Sequence, residues 1–374
     1  MFRFIHSSDL HLGKRFGNFS GDLPAKLREA RHAVIARLAV HARDNGVETI
    51  LLAGDTFDTE TPAPDIRRQA LSEMGHHAPI RWIILPGNHD SLQATQLWST
   101  LKEEAPDNVV LAIEAGPIDL TPNVVLLPAP CTTRRPGRDV TSWMDTVPTS
   151  EGAIRIGLGH GAIRSFSEDA STLDVIDPER ARLAGLDYLA LGDWHGALEI
   201  DARTRYSGAP EPDRFKHERP GEALLVALAG GGAPPNVRSL PTASFSWTML
   251  DLHLFDRDEP NAALDGLLPA LRDRRQTLAR VMASGRLRLE QRATLAQAID
   301  AARPDFAFLE LDDSQLVTEC DVEDLDRIDA AGALRETAEV LFAEAANESL
   351  SSDEREIARA ALARLYSYAQ QVSA

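Results

Sequence analysis

Residues 49–58 read Thr49-Ile50-Leu51-Leu52-Ala53-Gly54-Asp55-Thr56-Phe57-Asp58, an apolar run that stops at a glycine and then offers two carboxylates three positions apart. A short apolar run bounded by a turn residue reads as one buried strand of an α/β layer. The same design recurs four times. Phe2 to Ser7 runs into Asp9-Leu10-His11, Ile80 to Leu85 into Gly87-Asn88-His89-Asp90, Ile154 to Leu158 into Gly159-His160-Gly161, and Tyr188 to Leu191 into Gly192-Asp193-Trp194-His195. In α/β sheets ligands bind beyond the carboxyl ends of the strands, so five such polar clusters predict one convergent site.

The segments between these strands have helical or strand periodicity. Leu27, Ala30, Val34, Leu38 and His41 predict a helix over Leu23 to Asn45, closed by Gly46, and a second helix is expected from Asp65 to Gly75. Further strands are expected at Val109 to Ala112, Val124 to Leu127 and Ala223 to Ala229. Gly230-Gly231-Gly232-Ala233-Pro234-Pro235 marks an exposed hairpin turn or a domain edge. After a strand at Trp247 to Leu254 the composition predicts helices at Leu264 to Met282 and Leu287 to Ala302, then a strand at Phe306 to Leu311. Two closing helices follow, Ala330 to Ala346 and Asp353 to Val372. The last opens with a capping-box spelling, Ser351 and Glu354, and its apolar row is Ile357, Ala361, Leu365 and Tyr368. The domain expectation is residues 1–240 for the α/β layer structure that carries the polar clusters, 241–320 for a smaller α+β cap, and 321–374 for a helical segment.

Composition sets the class. The 374 residues, with 43% hydrophobic and 26% charged, describe a globular protein of two or three domains. Cys131 and Cys320 are too far apart in sequence, and too few, for a disulfide framework or a thiolate zinc site, which fits a reducing compartment. The first residues lack the apolar core of a secretory signal, and runs such as Leu224 to Leu228 fall far short of the ~18 residues a membrane span needs. A cytoplasmic protein with no membrane partner is expected. The net charge of −18 opposes nucleic-acid binding by global field. Much of the excess lies late: residues 251–374 carry 25 acids against 14 bases, and Glu310 to Asp326 holds eight acids and no base.

The polar clusters offer carboxylates, imidazoles and an amide oxygen but no thiolate, a set suited to Mn²⁺ or Mg²⁺. Two such ions bridged by one carboxylate lie about 3.5 to 4 Å apart and serve in-line displacement at phosphorus, so phosphoester hydrolysis is the expected reaction. His6, His32, His41, His76, His77, His217 and His253 fit no cluster and are expected to be structural or surface histidines.

The ordered set D-x-H, G-D-x-x-D, G-N-H-D, a lone strand-end His and G-x-x-H resembles the calcineurin-like metallophosphoesterase family over residues 1–225. Within it, His6-Ser7-Ser8-Asp9-Leu10-His11-Leu12-Gly13, Gly54 to Thr59 and Tyr206-Ser207-Gly208-Ala209-Pro210-Glu211 are similar to SbcD-type DNA repair exonuclease subunits. The resemblance implies a four-layer αββα sandwich with a smaller C-terminal α+β cap and terminal helices. It implies that Asp9, His11, Asp55 and His195 hold one metal and that Asp55, Asn88, His160 and Asp193 hold the second. His89 then acts on the phosphate or leaving oxygen, with Asp90 orienting its ring. It also implies two divalent ions, usually Mn²⁺, DNA as substrate cut from 3′ ends or nicked in single strands, an SbcC-like coiled-coil ATPase partner docked through the terminal helices, and pairing as a homodimer.

One position departs from the pattern: SbcD-type proteins read G-H-x-H in the last cluster, where this chain has Gly192-Asp193-Trp194-His195. A carboxylate in place of the imidazole adds one negative charge to the ligand set. It predicts narrower dependence on Mn²⁺ or Mg²⁺ and a more alkaline pH optimum. Lys14, Arg15, Arg134, Arg135, Arg138 and Arg164 are candidate DNA phosphate contacts. Two other readings stand beside a DNA phosphodiesterase: a phosphoesterase for nucleotides or other small esters, and a weakly active or noncatalytic assembly subunit of an ATPase complex.

Overall fold

The structure, a computed structural model, describes residues 1–163, 176–215, 220–255, 257–319, 328 and 332–373, apart from the side chains of 367 and 370–373. Arg164, His217, Cys320 and the later part of the acidic run lie outside the described residues. The chain divides into two compact units, Met1–Ser246 and Trp247–Ala374.

In the first unit the elements are β1 (Phe2–Ser7), α1 (Leu23–Asp44), β2 (Thr49–Leu52), α2 (Pro64–His76), β3 (Arg81–Ile84), α3 (Thr95–Glu104), β4 (Val109–Leu111), β5 (Ile118–Thr121), β6 (Val124–Ala129), β7 (Ile154–His160), α4 (Arg180–Leu183), β8 (Tyr188–Gly192), β9 (Leu198–Glu199), β10 (Thr204–Tyr206), β11 (Glu222–Leu228) and β12 (Asn236–Pro241). They build two six-stranded sheets, ordered β12-β11-β1-β2-β3-β4 and β5-β6-β7-β8-β10-β9. β1, β2, β3 and β4 run parallel in the first sheet, and β6, β7, β8 and β10 run parallel in the second.

Strand burial explains why the apolar runs are continuous. Phe4, Leu51, Ile83 and Leu85 of the first sheet meet Leu126, Ile156, Leu158 and Tyr188 of the second in one core. Ile5, Ile50, Leu52 and Trp82 turn the other way, onto Val34, Ile35 and Leu38 of α1 and Leu71 and Met74 of α2. A strand covered on both faces has no polar face to alternate with. The outer face of the second sheet packs Leu127, Leu189 and Leu191 against Met144, Ile176, Ala181 and Ala184. The layers are therefore helix, sheet, sheet and short helix, an α/β sandwich of the expected kind. Gly230 and Gly231, at φ +80° and +66°, turn the hairpin between β11 and β12, and the edge of the unit lies further on.

The second unit corrects the helical expectation for residues 264–282. Its elements are β13 (Ser246–Leu254), α5 (Pro260–Leu267), α6 (Leu271–Arg274), β14 (Thr277–Arg288), α7 (Leu289–Ala302), β15 (Phe308–Glu319), α8 (Ala333–Ala346) and α9 (Ser352–Ser373), with a three-stranded sheet ordered β13-β14-β15. Pro269 cannot donate within a helix and separates α5 from α6. Beyond it Ala279, Val281 and Ala283 are buried with a period of two, the spacing of a strand. β14 and β15 pair in parallel, and α7 is the crossover between them.

α9 starts as expected: the Ser351 N–H and hydroxyl donate to Glu354 Oε2 at 2.8 and 2.7 Å, and the Glu354 N–H donates to Ser351 Oγ at 3.3 Å. Its buried row is different. Ala358, Leu362, Tyr366 and Ala369 are buried, whereas Ile357 and Tyr368 are 68% and 63% exposed. Leu362, Tyr366 and Ala369 pack in one cluster with Leu289 and Ala338.

Candidate metal centre

The parallel strands of both sheets deliver their carboxyl ends to one place. Asp9 and His11 follow β1, Asp55 and Asp58 follow β2, Asn88 and His89 follow β3, His160 ends β7, and Asp193 and His195 follow β8. The loops are zipped together by backbone: the N–H groups of Asp9, His11 and Leu12 donate to the carbonyls of Gly54, Asp55 and Thr56 at 3.1, 2.9 and 2.9 Å. Across the sheets, His160 Nδ1 donates to the carbonyl of Ala53 at 2.8 Å. Gly54, at φ +89°, permits this approach, because a Cβ there would lie 2.2 Å from His160 Nδ1.

All seven residues expected to ligate metal fall into this cluster. Asp55 Oδ2 lies 3.6 Å from His11 Nε2 and 3.5 Å from His160 Nε2, so one oxygen faces two imidazoles that belong to different sheets. His11 Nε2 and His195 Nε2 are 3.2 Å apart. Behind them, His11 Nδ1 stands 3.2 Å from Asp58 Oδ1 and His195 Nδ1 stands 3.1 Å from Asp213 Oδ1. A carboxylate can only accept, so the bond to Asp213 places the His195 ring proton on Nδ1 and leaves its Nε2 lone pair facing His11 Nε2. Carboxylate-backed imidazoles are also the usual support of a metal ligand.

Asp193 faces into the cluster, with Oδ1 accepting from Asn88 Nδ2 at 2.9 Å and lying 3.8 Å from His160 Nε2. The same amide leaves Asn88 Oδ1 buried without a hydrogen-bond partner, and His160 Nε2 is likewise buried and unbonded. Asp9 is held by the Ser8 hydroxyl at 2.5 Å and by the Asp193 N–H at 3.2 Å. Asp9, Asp55 and His160 lie close enough to share an ion, as do Asp9, His11 and His195, and His11, Asp58 and His89. Buried polar atoms without partners, among them Asn88 Oδ1, and a donor set of oxygen and nitrogen alone fit divalent cations of the Mn²⁺ or Mg²⁺ type.

Electrostatics tell the same story. Burial opposes charge on both partners, yet Asp55 and His160 stabilise each other: the imidazoles of His160, His11 and His89 hold the Asp55 carboxyl well below the usual carboxylate range, and Asp55 holds the His160 imidazolium well above its ordinary value. A proton on His160 is thus the charge compensation available to three clustered carboxylates, and a metal ion can replace it. Burial, with Asp9 and Asp55 nearby, raises Asp193.

Asp90 corrects the expectation that it orients His89. Its carboxylate is fully buried and accepts from the backbone N–H groups of Gly87 at 2.7 Å and Phe57 at 3.0 Å, so it braces two loops. Burial and the nearby Asp55 push it up to about 7. The His89 ring is held instead by the carbonyl of Asp58, 3.0 Å from Nδ1. Lys14 is drawn inward to Asp213 at 2.7 Å. Arg15, Arg134, Arg135 and Arg138 lie in loops. His6 is a buried structural histidine between Tyr188 Oη and the Leu191 carbonyl, both at 3.1 Å, and burial lowers its pKa to about 3.

A model of the calcineurin-like phosphoesterase family matches residues 2–227, which is more than half of the chain and includes every cluster just described. The chain belongs to the calcineurin-like phosphoesterase family. Among curated relatives of this phosphoesterase, the SbcD subunit of nuclease SbcCD from Escherichia coli K12 is 33% identical over 257 residues, covering 57% of this chain and 61% of the relative. The corresponding subunit of nuclease SbcCD from Bacillus subtilis is 29% identical over 106 residues, covering 27% of this chain and 25% of the relative. The chain thus spans about three fifths of the longer match. A solved dimetal phosphatase from Danio rerio aligns with a TM-score of 0.36 and 12% identity, covering 64% of this chain and 98% of that one. Among the described residues no helix is long and apolar enough to cross a membrane.

Sequence reasoning placed Asp58 in a polar cluster without a role and missed Asp213. Asp58 stands in the G-D-T-F-D stretch, and its spacing from Asp55 was the available signal. Asp213 has no signal of that kind, because it reaches His195 only through the loop after β10.

Proposed function

We propose that this phosphoesterase is a two-metal phosphodiesterase acting on DNA, a nuclease subunit of the SbcD kind that works with an SbcC-like coiled-coil ATPase and pairs as a homodimer. The observation that carries the two-metal reading is Asp55 Oδ2 at 3.6 and 3.5 Å from imidazoles of two sheets, the position of a bridging carboxylate. In this reading Asp9, His11, Asp55 and His195 hold one ion, and Asp55, Asn88, His160 and Asp193 hold the other. Bound there, two divalent ions supply Lewis acidity toward a phosphate oxygen and a water nucleophile active near neutral pH.

The remaining steps belong to the protein. His89 donates Nδ1–H to the Asp58 carbonyl, which can only accept, so Nε2 is the nitrogen left for the reaction: as the imidazolium the ring would give its Nε2 proton to the leaving oxygen and remain neutral with Nδ1–H in place. The strand-end backbone fixes the cluster before substrate arrives, which favours in-line displacement by orientation. DNA as substrate and the ATPase as partner are supported by identity to relatives named as subunits of a nuclease complex.

The test is incubation with Mn²⁺ and end-labelled single- or double-stranded DNA, beside Asp55→Ala. Cleavage that the variant lacks, and that is lost on chelation, is expected. Hydrolysis of nucleotides alone would transfer the reading to small esters, and no hydrolysis of any ester would leave an assembly subunit.

A further inference from the structure

His195 is the one proposed ligand whose ring has a carboxylate behind it from a stretch outside the five strand-end clusters. Asp213 lies in the loop after β10, is 7% exposed, and gathers four groups. His195 Nδ1 is 3.1 Å from its Oδ1, Arg214 Nε donates to the same oxygen at 2.9 Å, and Lys14 Nζ and Arg31 Nη2 stand 2.7 and 3.6 Å from Oδ2. Three cations around one carboxylate keep Asp213 ionised although it is buried.

Two neighbours compete for His195 Nδ1. Arg214 Nη2 approaches it at 3.3 Å and could donate only if Nδ1 were bare, while Asp213 at 3.1 Å can accept only if Nδ1 carries the proton. The carboxylate contact is the shorter one, and the Arg214 guanidinium already donates to Asp213 through Nε, so the proton belongs on Nδ1. That assignment leaves the Nε2 lone pair directed at His11 Nε2, 3.2 Å away.

We infer that Asp213 is a positioning residue that fixes the His195 tautomer and ring direction and thereby sets the affinity of the ion shared by Asp9, His11 and His195. The inference rests on the reading above that His195 is a metal ligand. It separates two roles that Asp213 could have. If its role is to neutralise Lys14, Arg31 and Arg214, the negative charge matters and asparagine cannot replace it. If its role is to accept from Nδ1–H, an asparagine oxygen can.

The experiment measures Mn²⁺ stoichiometry and affinity of the full chain by calorimetry and by electron paramagnetic resonance, with thermal melting of the metal-free proteins as a folding check. For Asp213→Ala the expected result is two ions bound by wild type and one ion weakened by about 10- to 100-fold. Asp213→Asn should recover most of that loss, and Lys14→Ala, which touches the same carboxylate but not the ring, should leave the affinity within about 3-fold. Equal affinities in wild type and Asp213→Ala would overturn the inference, as would Asp213→Asn matching Asp213→Ala. Wild-type protein that takes up no Mn²⁺ would sink the metal-centre reading itself, a distinct outcome. Should the alanine variant fail to fold because Arg31 loses its partner, the tautomer still decides. Nitrogen-15 shifts of histidine-labelled, metal-free wild type, assigned against His195→Gln, should show Nδ1–H, and an Nε2–H tautomer would refute the inference.

Discussion

Gly87 is where packing and chemistry meet most directly. Its backbone lies against the loop that carries the proposed bridging carboxylate, and a Cβ there would sit 2.1 Å from Asp55 Oδ1 and 2.3 Å from the Asp55 backbone nitrogen. Ordinary contact begins near 3.4 Å, so Gly87→Ala forces Asp55 and its loop to retreat by more than 1 Å. The φ of Gly87 is not in the left-handed region, so the effect is steric alone. The retreat also breaks the 2.8 Å bond from the His89 N–H to Asp55 Oδ1. A misplacement of this size costs roughly 100-fold in rate, and overpacking costs about 1 to 3 kcal/mol of stability. The assay is Mn²⁺-dependent hydrolysis of a generic phosphodiester, followed with the melting temperature and Mn²⁺ binding of the same preparation. Gly116→Ala is the control, since nothing lies within 4 Å of its Cβ and its φ is ordinary. Wild-type turnover in Gly87→Ala, or equal losses in both variants, would refute the idea that Asp55 is held in place by this approach.

Asp193→His removes one negative charge from the ligand set, and the pH optimum of hydrolysis is expected to fall by on the order of 1 pH unit while zinc becomes better tolerated. Superimposable pH–rate and metal profiles would discard the charge argument. Burial pushes the Cys131 thiol up to about 12, and its Sγ points at the His160 carbonyl 3.4 Å away. Its alkylation by iodoacetamide at pH 8, followed by peptide mass spectrometry, should therefore run about 1000-fold slower than that of an ordinary exposed thiol. Labelling at the rate of free cysteine would contradict that burial. Joint substitution of Arg134, Arg135 and Arg138 by alanine should reduce the salt dependence of duplex binding by a slope of about 2 to 3. An unaltered slope would remove these arginines from the DNA path.

The sandwich and most of its centre could be read from the sequence because both rest on local signals. Runs such as Ile50-Leu51-Leu52 are apolar on both faces since each strand lies between two cores, and the ligands follow directly where the strands stop. The second unit was harder. Residues 277–288 mix alanine, leucine and arginine, good helix formers, but their neighbours β13 and β15 give them a sheet to complete. α9 shows the same limit within a true helix. Ile357 and Tyr368 look like part of one stripe, yet both are exposed and the face that packs holds Leu362 and Tyr366. Asp213 was invisible for a different reason: its meaning lies in a contact across 18 positions, and a lone Asp in a Pro-Asp-Arg stretch reads as a turn residue.

Backbone strain explains why the centre needs this scaffold. Among the described residues five non-glycine positions have positive φ, and four of them are proposed ligands: Asp9 at 55°, His11 at 43°, Asp55 at 53° and Asp193 at 100°. Each such residue costs about 1 to 3 kcal/mol, so the four together demand a sizeable share of the roughly 5 to 15 kcal/mol that stabilises a typical domain. The strain persists because each strained residue is held by its neighbours. The N–H groups of Asp9 and His11 donate to the carbonyls of Gly54 and Asp55, and the Asp193 N–H donates to the Asp9 carboxylate. The two loops therefore cannot relax separately: releasing the Asp55 loop would also release the Asp9 loop and, through its carboxylate, the Asp193 turn. A centre built this way presents its carboxylates already converged, at a cost the double-sided core beneath it can sustain.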